Sequence, residues 1–204
     1  MFFSPTPVYL LKQFYPAAQF YLNHPSHIAL TFDDGPIPEV TEYVIDVLNH
    51  YNIAATFFCV GKNIQKYPNV FDKLIQKNHS IGNHTFSHLN GWKCPSEEYL
   101  QDVLKFYKIY NTPLFRPPYG KLKPSQYKAL LKHNFKIVFW SVISYDYHPK
   151  MTAQKCLNII QNKTTGGQII LFHDSQKSFR LISEILPSYI EFCQKLKLTF
   201  VPLK

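Results

Sequence analysis

Two adjacent carboxylates, Asp33 and Asp34, and two imidazoles four residues apart, His84 and His88, are the groups in this chain best suited to chemistry. A catalytic zinc site commonly takes two His and one Asp or Glu and leaves a position for water. A second carboxylate beside such a site can accept a proton from that water. The carboxylates stand in Thr31-Phe32-Asp33-Asp34-Gly35 and the imidazoles in His84-Thr85-Phe86-Ser87-His88. Two later segments, Arg116-Pro117-Pro118-Tyr119-Gly120 and Leu171-Phe172-His173-Asp174, supply the other groups an acyl hydrolysis would need. The set reads as a metal-dependent hydrolase.

Each fragment taken alone is weaker. Asp and Gly recur in turns, so an Asp-Asp-Gly tripeptide is an ordinary turn signal. In extended backbone, neighbouring side chains diverge, so one Asp would reach a metal and the other the substrate. A single helical turn over His84–His88 would put both imidazoles on one side, as in zinc-binding His-x-x-x-His motifs. With nine His in the chain, one such spacing can arise by chance. Pro117-Pro118 stiffens the loop after Arg116, whose guanidinium would pair with Asp33 and keep it ionised. His173 closes an apolar run, which suits a positioned acid or base, although taken alone it reads as a satisfied core histidine; Asp146 is either the group that orients it or a loop aspartate near Pro149.

The elements between these motifs explain how they could meet. Ile28–Phe32, Ala54–Val60, a short run near Ser80-Ile81-Gly82, Leu114-Phe115, Lys136–Trp140, Gln168–Phe172 and Leu198–Val201 read as strands. Their near-continuous apolar character fits a parallel sheet covered on both faces. Amphipathic patterns lie between them: Val40 to Tyr51, Val70 to Ile75, Tyr99 to Tyr107 with Pro95 at the first helical position, and a helix opened by Pro124. Thr152 would cap a fifth helix, and Pro187 would restart or kink the last. Strand then helix, repeated about seven times, predicts a distorted (β/α) barrel of about seven parallel strands in a single domain. Asp33-Asp34, Arg116 and His173 then fall at the carboxyl ends of strands, the face on which barrels build active sites. Residues 25–204 would form the barrel and 1–24 an N-terminal extension packed on it. Val8–Tyr15 is expected across the base of the domain, with a membrane surface as the alternative contact.

Composition bounds the function classes. The chain has 204 residues, 46% hydrophobic and 16% aromatic, enough for one closed core and against disorder. Lys and Arg total 22 against 13 acidic residues, giving +9, which favours an anionic partner or simply serves solubility. The lysines are scattered, with no Arg-rich run or RNA-binding signature, so nucleic acid is not expected as a partner. Cys59, Cys94, Cys156 and Cys193 lack CxxC spacing and read as reduced, partly buried thiols. Met1–Pro7 has no basic n-region, two prolines break it, and no apolar run is long enough to span a bilayer. The expectation is a cytoplasmic protein, or one whose export signal lies outside this chain.

Taken in order, the four motifs resemble those of the polysaccharide deacetylases of carbohydrate esterase family four, which share the nodulation-factor deacetylase homology domain. Thr31–Gly35 matches TFDDG, His84–His88 matches H-[ST]-x-x-H, Arg116–Tyr119 matches R-x-P-Y, and Leu171–His173 matches the leucine-x-histidine motif. The resemblance runs from about Ile28 to Val201. It implies that Asp34, His84 and His88 bind one divalent metal, zinc first, with cobalt, nickel or manganese as alternatives. It also implies that Asp33 is the base and that water activated at the metal attacks the acetamide carbonyl of an N-acetylated sugar. The Tyr119 N–H would help hold the oxyanion, His173 would protonate the leaving amine, Arg116 would steady Asp33, and Asp146 would tune His173. Pro118, Tyr119, Tyr147 and Leu171 would line the substrate groove. The family's Asp-x-x-Asp-Trp motif is altered: Ile143-Ser144-Tyr145-Asp146-Tyr147 keeps only the second Asp and puts Tyr where Trp is usual. The expected activity is therefore N-deacetylation of a polysaccharide or glycoconjugate. Alternatives are removal of a formyl or acetyl group from a lipid-linked or soluble sugar, O-acetyl ester cleavage, and a sugar-binding module with little turnover.

Overall fold

The apolar runs fold as parallel strands: β1 (His27–Asp33), β2 (Thr56–Cys59), β3 (Ser80–Asn83), β4 (Leu114–Phe115), β5 (Lys136–Ile137), β6 (Val142–Ile143), β7 (Gln168–His173) and β8 (Thr199–Phe200). The helices are α1 (Val8–Phe14), α2 (Val40–His50), α3 (Gly61–Lys66), α4 (Pro68–Gln76), α5 (Ser96–Tyr107), α6 (Pro124–Lys132), α7 (Ala153–Lys163) and α8 (Phe179–Lys195). This computed structural model describes residues 8–204. The sheet order is β5-β4-β3-β2-β1-β7-β6, with β8 pairing the start of β1. The architecture is the expected distorted (β/α) barrel.

Its distortion has a local cause. The two ends of the sheet order, β5 and β6, are consecutive in sequence, and residues 138–141 carry the backbone from one partner strand to another. Val138 N–H donates to the Phe115 carbonyl at 2.8 Å, whereas Ser141 N–H donates to Ile169 at 3.0 Å. The ring is closed through the chain and not by a ladder. The strand expected over Lys136–Trp140 is thus corrected to the two residues of β5, and β6, which was not expected, follows it. Between them, Phe139 N–H goes to the Gln19 carbonyl at 2.8 Å and the Phe139 carbonyl accepts from Arg116 Nη2 at 2.9 Å. The backbone groups that would have extended the strand are taken by the N-terminal segment and by an interior arginine.

Side chains sort into layers as the strand period requires. Leu30, Phe32, Phe57, Ile170 and Phe172 face outward onto α2 and α8, whose buried faces include Val44, Leu48, Ile182, Leu186 and Tyr189. Phe115, Ile137 and Phe139 pack on the α5–α6 side with Tyr99, Tyr127 and Leu130. A small interior cluster of Ala29, Phe58, Leu114, Val138, Ile169 and Leu203 fills the base of the barrel. The polar motifs sit above it.

Helix boundaries follow their punctuation. Thr152 caps α7 by accepting from Lys155 N–H at 3.3 Å. Pro124 opens α6 as expected, but Pro95 stands one residue before α5, which begins at Ser96 with Glu97 and Glu98 in its first turn. α8 continues through Pro187, with seven buried residues along one side to hold it against the loss of a backbone hydrogen bond. Tyr15 and Phe20 bury their rings against Phe139, and Tyr15 Oη donates to the Leu122 carbonyl at 2.5 Å. In α1, Val8 and Leu11 pack on that cluster, while Tyr9 and Phe14 are exposed. The earlier part of the expected extension, residues 1–7, lies outside the described residues. Among those described, no helix is long and apolar enough to cross a membrane, and all four cysteines are free and buried.

Candidate metal centre and active site

Parallel register brings the motifs to one height. Asp33 and His173 are Cα partners at the carboxyl ends of β1 and β7, so their side chains emerge side by side. Arg116 follows β4 and lies fully buried in the barrel interior. Its Nη1 donates to Asp33 Oδ1 at 2.7 Å and to Thr31 Oγ1 at 2.8 Å, and its guanidinium lies 4.0 Å from the centre of the Phe58 ring. A charge in this position is compensated by the ion pair, a stacked ring and two backbone carbonyls. Arg116 therefore occupies Asp33 Oδ1 and leaves Oδ2 to face the site.

The two Asp side chains do not diverge as extended backbone would make them. Asp34 has φ 91°, and its Oδ1 comes within 3.9 Å of His84 Nε2, to which Asp33 Oδ2 is also near at 3.8 Å. The turn leaves both carboxylates on the side of one imidazole.

The helical turn expected over His84–His88 is also corrected. The segment is a loop in which Thr85 has φ 63° and His88 φ 57°. Side chains fix this shape where helical hydrogen bonds would otherwise run. Asn83 Oδ1 accepts from Thr85 N–H at 2.8 Å, Thr85 Oγ1 from Leu89 N–H at 3.1 Å, and Asp102 Oδ2 from Ser87 N–H at 2.8 Å. The imidazoles still converge, with ring centres 5.1 Å apart.

One donor atom from each of Asp34, His84 and His88 lies within 4.8 Å of the others. His84 Nδ1 is 2.8 Å from the Arg116 carbonyl, which can only accept, so Nδ1 carries the proton. Burial lowers the His84 pKa to about 4, against the opposing pull of Asp33. The ring is thus neutral, with its Nε2 lone pair turned toward Asp34. For Asp34, burial is outweighed by the His88 hydrogen bond at 3.1 Å and by the charge of His173, which hold the carboxyl below the usual range. Two imidazoles and a carboxylate, one imidazole oriented by a carbonyl behind it, form a donor set that fits a divalent metal ion.

Across from this cluster, His173 Nδ1 lies 2.8 Å from Asp146 Oδ1, and Asp146 Oδ2 accepts the His173 backbone N–H at 2.8 Å. Burial opposes charging this ring, yet Asp146, with Asp34 and Asp33 beyond it, raises the pKa to about 9. Tyr147 sets its ring edge-on to His173 at 4.9 Å. Tyr119 does the same to His88 at 4.7 Å, from a short turn, Pro118–Gly120, in which it has φ 61°. As the second residue of that turn, its N–H is among those that have no partner within a helix. Pro118 is buried beneath it. Leu171 is buried two residues before His173 on the same face of β7, outside the three apolar clusters.

A family model for polysaccharide deacetylase matches residues 22–138. A peptidoglycan-N-acetylglucosamine deacetylase of Bacillus cereus is 37% identical over 173 residues, 79% of this chain and 62% of that protein. The chain belongs to the polysaccharide deacetylase family. Another relative of this deacetylase-family chain is a chitooligosaccharide deacetylase of Azorhizobium caulinodans, 33% identical over 157 residues, 73% of this chain and 74% of the relative. The crystal structure of the Bc1960 peptidoglycan N-acetylglucosamine deacetylase superposes with a TM-score of 0.89 at 32% identity, covering 97% of this chain and 95% of that one. The chain spans a little under two thirds of the first relative's length, 62%.

The structure adds supporting residues to which the sequence reading gave no role in this deacetylase-family site. Asp174 is fully buried, accepting from Gly35 N–H at 3.0 Å and Thr41 Oγ1 at 2.6 Å. Burial raises its pKa to about 8 despite both hydrogen bonds. A Cβ on Gly35 would sit 1.9 Å from Asp174 Oδ2, so this glycine serves close approach. Asn63 Nδ2 donates to the Asp34 carbonyl at 2.7 Å from the unforeseen helix α3. Asp174 sits next to His173 in sequence, and a charged residue following a buried apolar strand was the available signal.

Proposed function

We propose that this chain hydrolyses the N-acetyl group of a sugar in a glycan, using one zinc ion held by Asp34, His84 and His88. The observation that carries the reading is the placement, on one barrel face, of that cluster between a carboxylate pinned by Arg116 and an imidazole pinned by Asp146. A divalent ion bound there supplies Lewis-acid polarisation of the acyl carbonyl and eases ionisation of the attacking water. Cobalt, nickel or manganese would suit the same donors, and zinc is favoured by the two-His, one-carboxylate composition.

Asp33 is placed to take the proton of the attacking water, because Arg116 occupies its Oδ1 and leaves Oδ2 free. Tyr119 N–H would donate to the oxygen that gains charge as the acyl carbon becomes tetrahedral, a contact worth about 2.7–4 kcal/mol where such a donor is removed. His173, with a pKa raised to about 9, carries a proton at neutral pH. Asp146 holds its Nδ1 and leaves Nε2 to protonate the nitrogen as the C–N bond breaks. The products are acetate and a free amino sugar.

The relatives named above act on peptidoglycan N-acetylglucosamine and chitooligosaccharide, which supports N-acetylglucosamine units as substrate here. The test is acetate release by zinc-loaded protein from chitooligosaccharides, peptidoglycan fragments and acetylated xylan. Release from the N-acetylated glycans is expected, with Asp33→Asn inactive yet still metal-bound. Absence of release from every substrate by protein with one zinc per chain would overturn the reading.

A further inference from the structure

Trp92 is 58% exposed and Tyr119 60%, the most open aromatic side chains near the site. A lone exposed apolar residue needs no explanation. Trp92, however, is anchored through both its ring and its backbone. Its Nε1 donates to the Leu122 carbonyl at 3.3 Å, and its backbone N–H goes to Asn90 Oδ1 at 3.1 Å, capping the short turn Gly91–Lys93. That turn is locked to the loop carrying Tyr119. A Cβ on Gly91 would stand 2.3 Å from the Lys121 carbonyl. Gln126 bridges the two segments, donating to the Gly91 carbonyl at 2.8 Å and accepting from Lys123 N–H at 2.8 Å. Lys121 Nζ lies over one face of the Trp92 ring, 5.1 Å from its centre, and leaves the opposite face for a ligand.

The chain leads directly from this ring to the site. Trp92 follows His88 by four residues, and Lys121 follows Tyr119 by two, while Tyr119 itself touches His88. One aromatic ring, Tyr119, thus stands against the His88 imidazole, and the other, Trp92, stands beside the loop that carries Tyr119. The face of a pyranose ring carries axial C–H groups, and an aromatic ring offers them a negative π-face without loss of rotamer freedom.

We propose that Trp92, backed on one face by Lys121, forms an outer subsite that stacks a sugar residue of the glycan chain, beyond the one being deacetylated, on its other face. This rests on the deacetylase reading and deepens it: the protein would favour chains over short oligomers.

The experiment compares chitohexaose with chitobiose. Trp92→Ala should lower the ratio of their kcat/KM values by about tenfold, the order of one aromatic stacking contact. Trp92→Phe keeps a ring and should retain most of the preference. Thermal melting of both variants checks that the fold is kept. Binding of chitohexaose to zinc-loaded Asp33→Asn, measured by calorimetry, gives a readout independent of turnover, and adding Trp92→Ala should weaken it by a similar factor. A hexaose-to-biose ratio unchanged in Trp92→Ala, with acetate still released, would overturn the subsite and leave the deacetylase reading standing. Absence of acetate release from either oligomer by the wild-type chain would remove the deacetylase reading instead. The binding arm then decides the subsite alone, and equal hexaose affinity with and without Trp92 would reject it.

Discussion

His84, buried, and His173, half-buried, stand at strand ends of the same barrel face, yet their pKa values move in opposite directions, to about 4 and about 9. Burial disfavours the charged form of both. The difference lies in what stands behind each ring. His84 turns Nδ1 to the Arg116 carbonyl, a neutral acceptor, and stays an unprotonated ligand at Nε2. His173 turns Nδ1 to the Asp146 carboxylate, which repays the cost of charging it. The same side chain thus becomes a metal ligand or a proton donor according to its rear partner.

The largest effect should come from His84→Ala. Metal content should fall from about one ion per chain to near zero by elemental analysis, and activity should fall to background. Retained stoichiometric metal would break the division of labour between the two rings.

Asp146→Asn attacks the other side. Without the carboxylate the His173 pKa should drop from about 9, moving the alkaline limit of kcat to lower pH. The sign follows from its role: an acid must be protonated, so activity is present below its pKa and lost as pH rises through it. A rate loss of about 10²–10⁴-fold is expected at pH 8 and a smaller loss at pH 6, with metal content unchanged. A pH profile that does not move would mean that Asp146 only positions the ring.

Arg116 serves both sides, its carbonyl holding His84 and its guanidinium holding Asp33. Arg116→Met keeps the carbonyl and strips the charge, leaving a buried carboxylate without its partner. A loss of about 3–5 kcal/mol in unfolding free energy is expected, read by denaturant titration. A loss below 1 kcal/mol on the scale of an exposed pair would show that the ion pair is not desolvated as its burial implies.

Much of this arrangement was legible from the chain. Apolar runs ending in Asp33, Arg116 and His173 marked strand ends, and strand ends of a barrel converge, so distant motifs could be assigned to one site. The rear partner of His173 was legible because Asp146 is a side chain. That of His84 was not, since it is a backbone carbonyl and leaves no letter in the sequence. The loop shape of His84–His88 was hidden for a related reason: the spacing of four suggested a helix, but Asn83, Thr85 and Asp102 take the backbone groups a helix would use. The early end of the fifth strand depends on Gln19 and Arg116, both remote in sequence from Phe139.

Asp174 sharpens the comparison with the smallest expected effect. It is as buried as Asp146 but, among the described residues, pairs with no cation, only with the Gly35 N–H and the Thr41 hydroxyl, and its pKa rises to about 8. An acid with a raised folded pKa binds its proton more tightly when folded. It therefore contributes stability that is present below the unfolded value of about 3.9 and is lost as pH rises through the folded one. Asp174→Asn, a near-isosteric neutral group, should mimic the protonated form. Measured on metal-free protein by denaturant titration, it should cost about 1 kcal/mol or less at pH 5 and flatten the decline in stability between pH 5 and pH 8. If the wild type and Asp174→Asn decline in parallel across that range, the proton does not reside on Asp174, and burial without a cation is not what separates it from Asp146.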